Sequence, residues 1–177
     1  MLLLKLLLSI PVAYGLAYPF ISDGPAGGTM AELSVFGPVG SVCVALGFLA
    51  LVYLYCRDLY HLMLLVHPES RKVKPTSVWL MFLIPYNFIE DFFIMKNVAD
   101  ALDSERERRP SLTVLKTNGL WLGYGWCTAQ ILSLLPFAIG SVAGLVAIVL
   151  WVMHWRVVRS ALPLLKERPL NVATESS

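Results

Sequence analysis

Two stretches of this chain carry no charge at all: residues 33–56, a run of 24, and residues 117–155, a run of 39. A helix needs about 20 consecutive apolar residues to cross a hydrocarbon core, so the first run makes one span and the second is long enough for two. A soluble domain of 177 residues would need polar side chains to cover its surface, yet 57% of the residues here are hydrophobic and 15% charged. The soluble averages are about 45–50% and about 25%. This composition excludes a large soluble catalytic domain, a disordered chain and a disulfide scaffold, and the lack of short alternating segments excludes a β-barrel. The net charge of +2 is too small to imply a nucleic-acid partner.

The organisation follows from punctuation. Residues 1–20, with Lys5 the only charge, read as a first transmembrane helix or signal anchor kinked at Pro11; small residues ending at Ala17 would also suit a cleavable signal. Residues 21–33 are Gly-rich without Lys or Arg, an outer loop in which Thr29 and Glu32 have capping-box spacing. Residues 34–66 form a second helix with an interfacial extension, ended by His67-Pro68 because proline disfavours helical geometry in its predecessor. Residues 118–136 and 140–160 form a third and a fourth crossing, and residues 161–177 a cytoplasmic tail.

Residues 75–107 do not fit a simple crossing. Only 15 uncharged residues separate Lys74 from Glu90, and Pro85 interrupts them. Lys plus Arg number zero in residues 21–40, four in 57–74 and five in 96–116, with Arg156, Arg159, Lys166 and Arg168 in the tail. The positive-inside rule puts all the basic segments on one side, which requires residues 75–95 to enter the membrane and return, or to lie in its interface. The expected fold is therefore an all-α integral membrane protein: four transmembrane helices plus a Pro-broken re-entrant or interfacial helical hairpin, with the C-terminus cytoplasmic.

After Pro85 a helical wheel groups Phe88, Phe92, Met95, Ala99 and Leu102 on one face and Glu90, Asn97, Asp100 and Ser104 on the other, making Glu90 a solvent-side acid. Asp91 falls at the edge of the apolar face. A carboxylate there needs a partner, with Arg57, Arg156 or His61 as candidates, or else serves a coupling or ligand role. His61 and His154 lie near the inner ends of two crossings, where a pair of imidazoles is the minimal set for haem. Interfacial capping explains both more simply, so no cofactor is expected. Cys43, Cys56 and Cys127 lack metal or redox spacing and read as small apolar residues, so no metal is expected. No catalytic motif occurs, which points away from an enzyme. Gly119 with Gly123, and Gly140 with Gly144, have the G-x-x-x-G spacing that lets helices pack closely. The mixed-sign run DSERERR reads as a solvated helix end.

Pro75, Val78, Trp79, Leu80, Ile84 and Pro85, followed by Ala99, Asp100, Leu102 and Glu105 and then an uncharged hairpin ending WVMHWRVV, form a recognisable pattern. It resembles a group of small bacterial inner-membrane proteins with a Pro-x-x-Val-Trp-Leu and Ile-Pro motif and no assigned activity. The likeness covers roughly residues 71–158 and departs at Glu90-Asp91, where the group is apolar or aromatic, and in the spacing after Pro85. It implies a multi-pass protein of the bacterial inner membrane. Short loops and no catalytic constellation lead to a non-catalytic accessory or interaction subunit of a larger membrane assembly, with lipid and other membrane subunits as partners. The alternative is a small transporter or channel component using the broken segment near Pro85 and Asp91.

Overall fold

The computed structural model describes residues 2–21, 36–135 and 137–167, and every regular element among them is helical. Helix α1 covers Leu2–Ile21, α2 Gly37–Leu65, α3 Asn87–Arg108, α4 Leu120–Leu132 and α5 Phe137–Lys166. Short 3-10 helices at Pro68–Ser70, Pro75–Phe82 and Pro110–Val114 make the connections around α3. Helix α2 starts on Gly37-Pro38, where proline's missing N–H costs nothing. It stops as His67 takes the extended ψ of 141° that suits a residue before proline.

Two helices are long and apolar enough to cross a membrane: α2 over Gly37–Leu65 and α5 over Ala138–Lys166. The apolar stretch Leu2–Tyr18 of α1 and the 13 residues of α4 are shorter than the about 20 residues of a crossing. Helix length thus supports a membrane protein with two spanning candidates.

Helices α2, α3 and α5 run one way and α1 and α4 the other. Phe48 packs on Trp151 and Tyr55 on Trp155, so α2 and α5 run parallel. Gly119 lies against His154 and Val157 while Gly125 meets Leu150, so α4 runs antiparallel to α5. Helix α1 begins beside α3, where Lys5 meets Glu90, and reaches Leu134 through Gly15, so it runs alongside α4. The outer halves of α2 and α5 present bare apolar side chains, among them Val39, Val42, Leu46, Ile139, Val142 and Leu145. Their inner halves bury Tyr55, Leu59, Leu62, Val158, Ala161 and Leu165 against α3 and the 3-10 segments. The core therefore sits at the inner end, and the outer end is two parallel apolar rods flanked by α1 and α4.

The hairpin of residues 75–107 takes a different form from an inserted α-helical pair. Its first leg is an eight-residue 3-10 helix from Pro75, packed on both α2 and α3. The chain then turns through a cis Ile84-Pro85 bond, and Phe82, Leu83 and Ile84 are exposed at its tip. Residues 161–166, assigned to the tail from sequence, instead complete α5, which continues through Pro163 because Ala161 and Leu165 are buried in the core. The run DSERERR is not wholly solvated: Glu105 is 1% exposed. The Thr29–Glu32 capping box, nearly all of the outer loop and most of the tail lie outside the described residues.

Candidate functional site

Where α2, α3, α4 and α5 meet, the protein buries polar chemistry in an apolar setting. Tyr55 is fully buried and its ring is met edge-on by Trp126, Trp151, His154 and Trp155, with centroids 5.6–6.0 Å apart. Its hydroxyl lies 2.8 Å from His154 Nδ1, and Trp151 stacks between Trp126 and Trp155. On the other side of His154 stands Gly119 at φ +82°, where a Cβ would come within 3.1 Å of the ring. Trp155 Nε1 donates to Asp58 at 2.8 Å, which fixes the inner edge of the cluster.

One helical turn before Met95, whose Sδ accepts from the Tyr55 hydroxyl at 3.6 Å, lies Asp91. Asn87, Asp91 and Met95 follow one another at four-residue spacing along α3 and share a face. Met95 meets Gly123, Phe92 packs on Tyr124 at 5.7 Å, and Asp91 is within electrostatic reach of Cys127, Cys56 and Tyr55. The α3–α4 seam thus carries Asp91 and Met95 on one helix and Gly123 and Cys127 on the other. Asp91 is 2% exposed, and neither its Oδ1, nor Asn87 Oδ1, nor Gln130 Oε1 receives a hydrogen bond. An unpaired buried carboxylate is relieved by a proton or by a counter-ion.

The partners expected for Asp91 are placed elsewhere. Arg57 is half exposed and lies 3.5 Å from Asp58, the next residue of its own helix; Arg156 is exposed; His61 is exposed beside Tyr60. Among the described residues no ion pair reaches Asp91. The acid that is paired is Glu90, 6% exposed, whose Oε2 lies 2.6 Å from Lys5 Nζ. The wheel made Glu90 a solvent-side acid because it ignored α1, which covers that side of α3. Lys5 also sits 4.0 Å over the Phe93 ring.

His61 and His154 are not brought together: one is exposed, the other buried against Tyr55. Cys56 Sγ lies 3.4 Å from Met81 Sδ, and Cys43 is exposed. Among the described residues no group of three or more His, Cys, Asp or Glu gathers as a metal site would require. Of the four glycines, Gly123 takes the Met95 side chain so closely that a Cβ would lie 2.6 Å from Met95 Cγ. Gly119 starts α4 in left-handed geometry, Gly140 faces the Leu135 carbonyl at the α4–α5 turn, and Gly144 is half-buried on α5. Glycine at 119 and 140 therefore serves turns as well as contacts.

Sequence reasoning missed Tyr55, Lys5, Glu105 and Arg109. Tyr55 gave no signal inside an apolar run. Lys5 and Glu90 did: each is an isolated charge of opposite sign in an apolar segment, and such charges seek each other.

At the inner end Arg109 binds Glu105 Oε1 through Nε at 2.7 Å, and donates to the carbonyls of Leu165, Glu167 and Leu65. Glu105 also accepts from the His67 amide at 3.1 Å. Burial pushes the Glu105 carboxyl up, but Arg109 and the His67 amide outweigh it and hold it below the usual range. No protein-family model, curated protein or solved structure matches the chain.

Proposed function

We propose that the chain is a multi-pass protein of the bacterial inner membrane, crossing four times with a cytoplasmic C-terminus, and that it serves as a non-catalytic accessory or interaction subunit of a larger membrane assembly. The observation that carries this reading is the outer end of the molecule. Helices α2 and α5 are spanning candidates whose outer halves have few neighbours within the chain, and α4–α5 leave a shallow groove of about 460 Å³. That groove is lined by Leu132 and by Ala129, Ala138, Ile139, Val142, Ala143 and Val146, the last six small or β-branched residues of the kind that let a helix from another subunit approach closely. The opposite direction of α1 and α4 to α2 and α5, and the bases at the inner end, favour four crossings, with α1 and the short α4 completing the set. The exposed Phe82–Ile84 tip favours a hairpin that dips into the inner leaflet.

Photo-crosslinking from position 142, in the groove, and from Leu46, outside it, tests the reading in native membranes. A discrete protein adduct from 142 that is absent from 46 is expected. Adducts to lipid alone at both positions would overturn it. The transporter reading is favoured by one specific observation, a buried Asp91 with no ion pair among the described residues six residues after Pro85; flux through liposomes containing this chain alone would establish it over the first.

A further inference from the structure

We propose that the inner end carries a binding site for the phosphate headgroup of an anionic phospholipid, in a cleft between residues 114–117 and the last turns of α5. The site rests on the membrane part of the reading above. The cleft has a volume of about 480 Å³, and its walls include Val114, Leu115, Val157 and Leu164 with Lys116 and Arg156. Thr117 and Ser160 complete its lining.

Most bases of the inner end are paired, Arg71 turns to the Met63 carbonyl, and Lys74 and Lys166, exposed and without an ion pair among the described residues, stand outside this cleft. Lys72 and Lys96 are held by Asp100, Arg106 by Asp103, Arg108 by Glu69, Arg109 by Glu105, and Arg57 and Arg159 by Asp58. Lys116 and Arg156, on two different segments of one cleft, have no ion pair among the described residues. Their charges are free for an anion, and a guanidinium beside an ammonium suits a phosphate diester.

Position and wall chemistry favour a lipid over a free anion. Gly119 packs at the level of His154 and Val157, so the cleft lies where α5 passes from its exposed apolar half into the core. Val114 is 75% exposed and Trp121, in the first turn of α4, is 80% exposed. Indole at that level anchors at the membrane interface, and apolar walls beside the bases accommodate glycerol and the first acyl carbons. Basic pockets between helices on the cytoplasmic side are a recognised way of holding anionic headgroups.

The test uses the full chain in mild detergent with mixed phosphatidylglycerol and phosphatidylcholine, and counts retained lipid by native mass spectrometry. Wild type should retain phosphatidylglycerol in preference to phosphatidylcholine. Lys116→Gln/Arg156→Gln should weaken that preference by roughly tenfold to thirtyfold, as loss of two interfacial bases implies. The charge-matched control Lys72→Gln/Lys74→Gln should keep it. Equal retention of both lipids, or an unaltered preference in the cleft variant, overturns the site. Thermal stabilisation by inorganic phosphate equal to that by phosphatidylglycerol overturns the lipid as its source. Alkaline carbonate extraction of the same membranes separates the two levels: a chain released into the supernatant overturns the membrane reading and the site together. A pelleted chain without lipid preference overturns the site alone.

Discussion

Arg109 closes the ends of both long helices at once. The last carbonyls of a helix have no intrahelical donor, and one guanidinium supplies donors to Leu65 at the end of α2 and to Leu165 and Glu167 at the end of α5. Glu105 holds that guanidinium in place from below. A carboxyl whose folded value is depressed contributes stability that is full above its unfolded value of about 4.3 and is lost as pH falls through the folded value. Thermal unfolding in detergent should therefore show a stability decline below about pH 4.3. Glu105→Gln should cost about 3 kcal/mol at pH 7 and flatten that decline. Gly119 is the other residue with a defined cost: at φ +82° with His154 beside it, Gly119→Ala should destabilise by about 1–2 kcal/mol. Circular-dichroism melts of the purified variant measure the loss.

Helix α3 is the element on which charge burial is decided. Adjacent acids on it meet opposite fates because successive residues of a helix point about 100° apart: Glu90 faces α1 and Lys5, while Asp91 faces the seam with α4. The consequence is an ordered pair of variants. Glu90→Gln leaves Lys5 largely buried without its counter-charge and should cost about 2–3 kcal/mol. Asp91→Asn removes no ion pair and is nearly isosteric, so its unfolding free energy should stay within about 1 kcal/mol of wild type. Comparable losses in both, measured by thermal shift in the same detergent, would show that Asp91 holds a basic group. Asp91 was legible from sequence as an anomaly, through its place on the apolar face of a wheel. Its lack of an ion pair among the described residues was not, since that depends on where the exposed Arg57, Arg156 and His61 come to lie once the helices pack.

At the scale of the molecule the polar and apolar ends are set against each other, and that polarity makes the proposed topology testable. Bases cluster at the inner ends of α2, α3 and α5, while the outer halves of α2 and α5 are bare. In a cysteine-free background, single cysteines at Lys72, Arg108 and Lys166 should react with impermeant maleimide only from the cytoplasmic side, and one at Phe36 only from outside. Reaction of the Arg108 position from outside would reverse the arrangement of the hairpin.

The helical class, the two long apolar helices and the break at Pro85 were determined by the sequence alone, because each depends on local rules: run length, charge spacing and the backbone limits of proline. Tertiary structure decided what those rules do not reach. It extended α5 through Pro163, since Ala161 and Leu165 gain burial in the inner core. It turned the first hairpin leg into a 3-10 helix wedged between α2 and α3. Above all it chose partners: Lys5 for Glu90 across 85 residues, Tyr55 for His154 across 99, and no ion pair among the described residues for Asp91. Such pairings depend on how helices rotate and cross, and that is settled by the packing of side chains from distant segments.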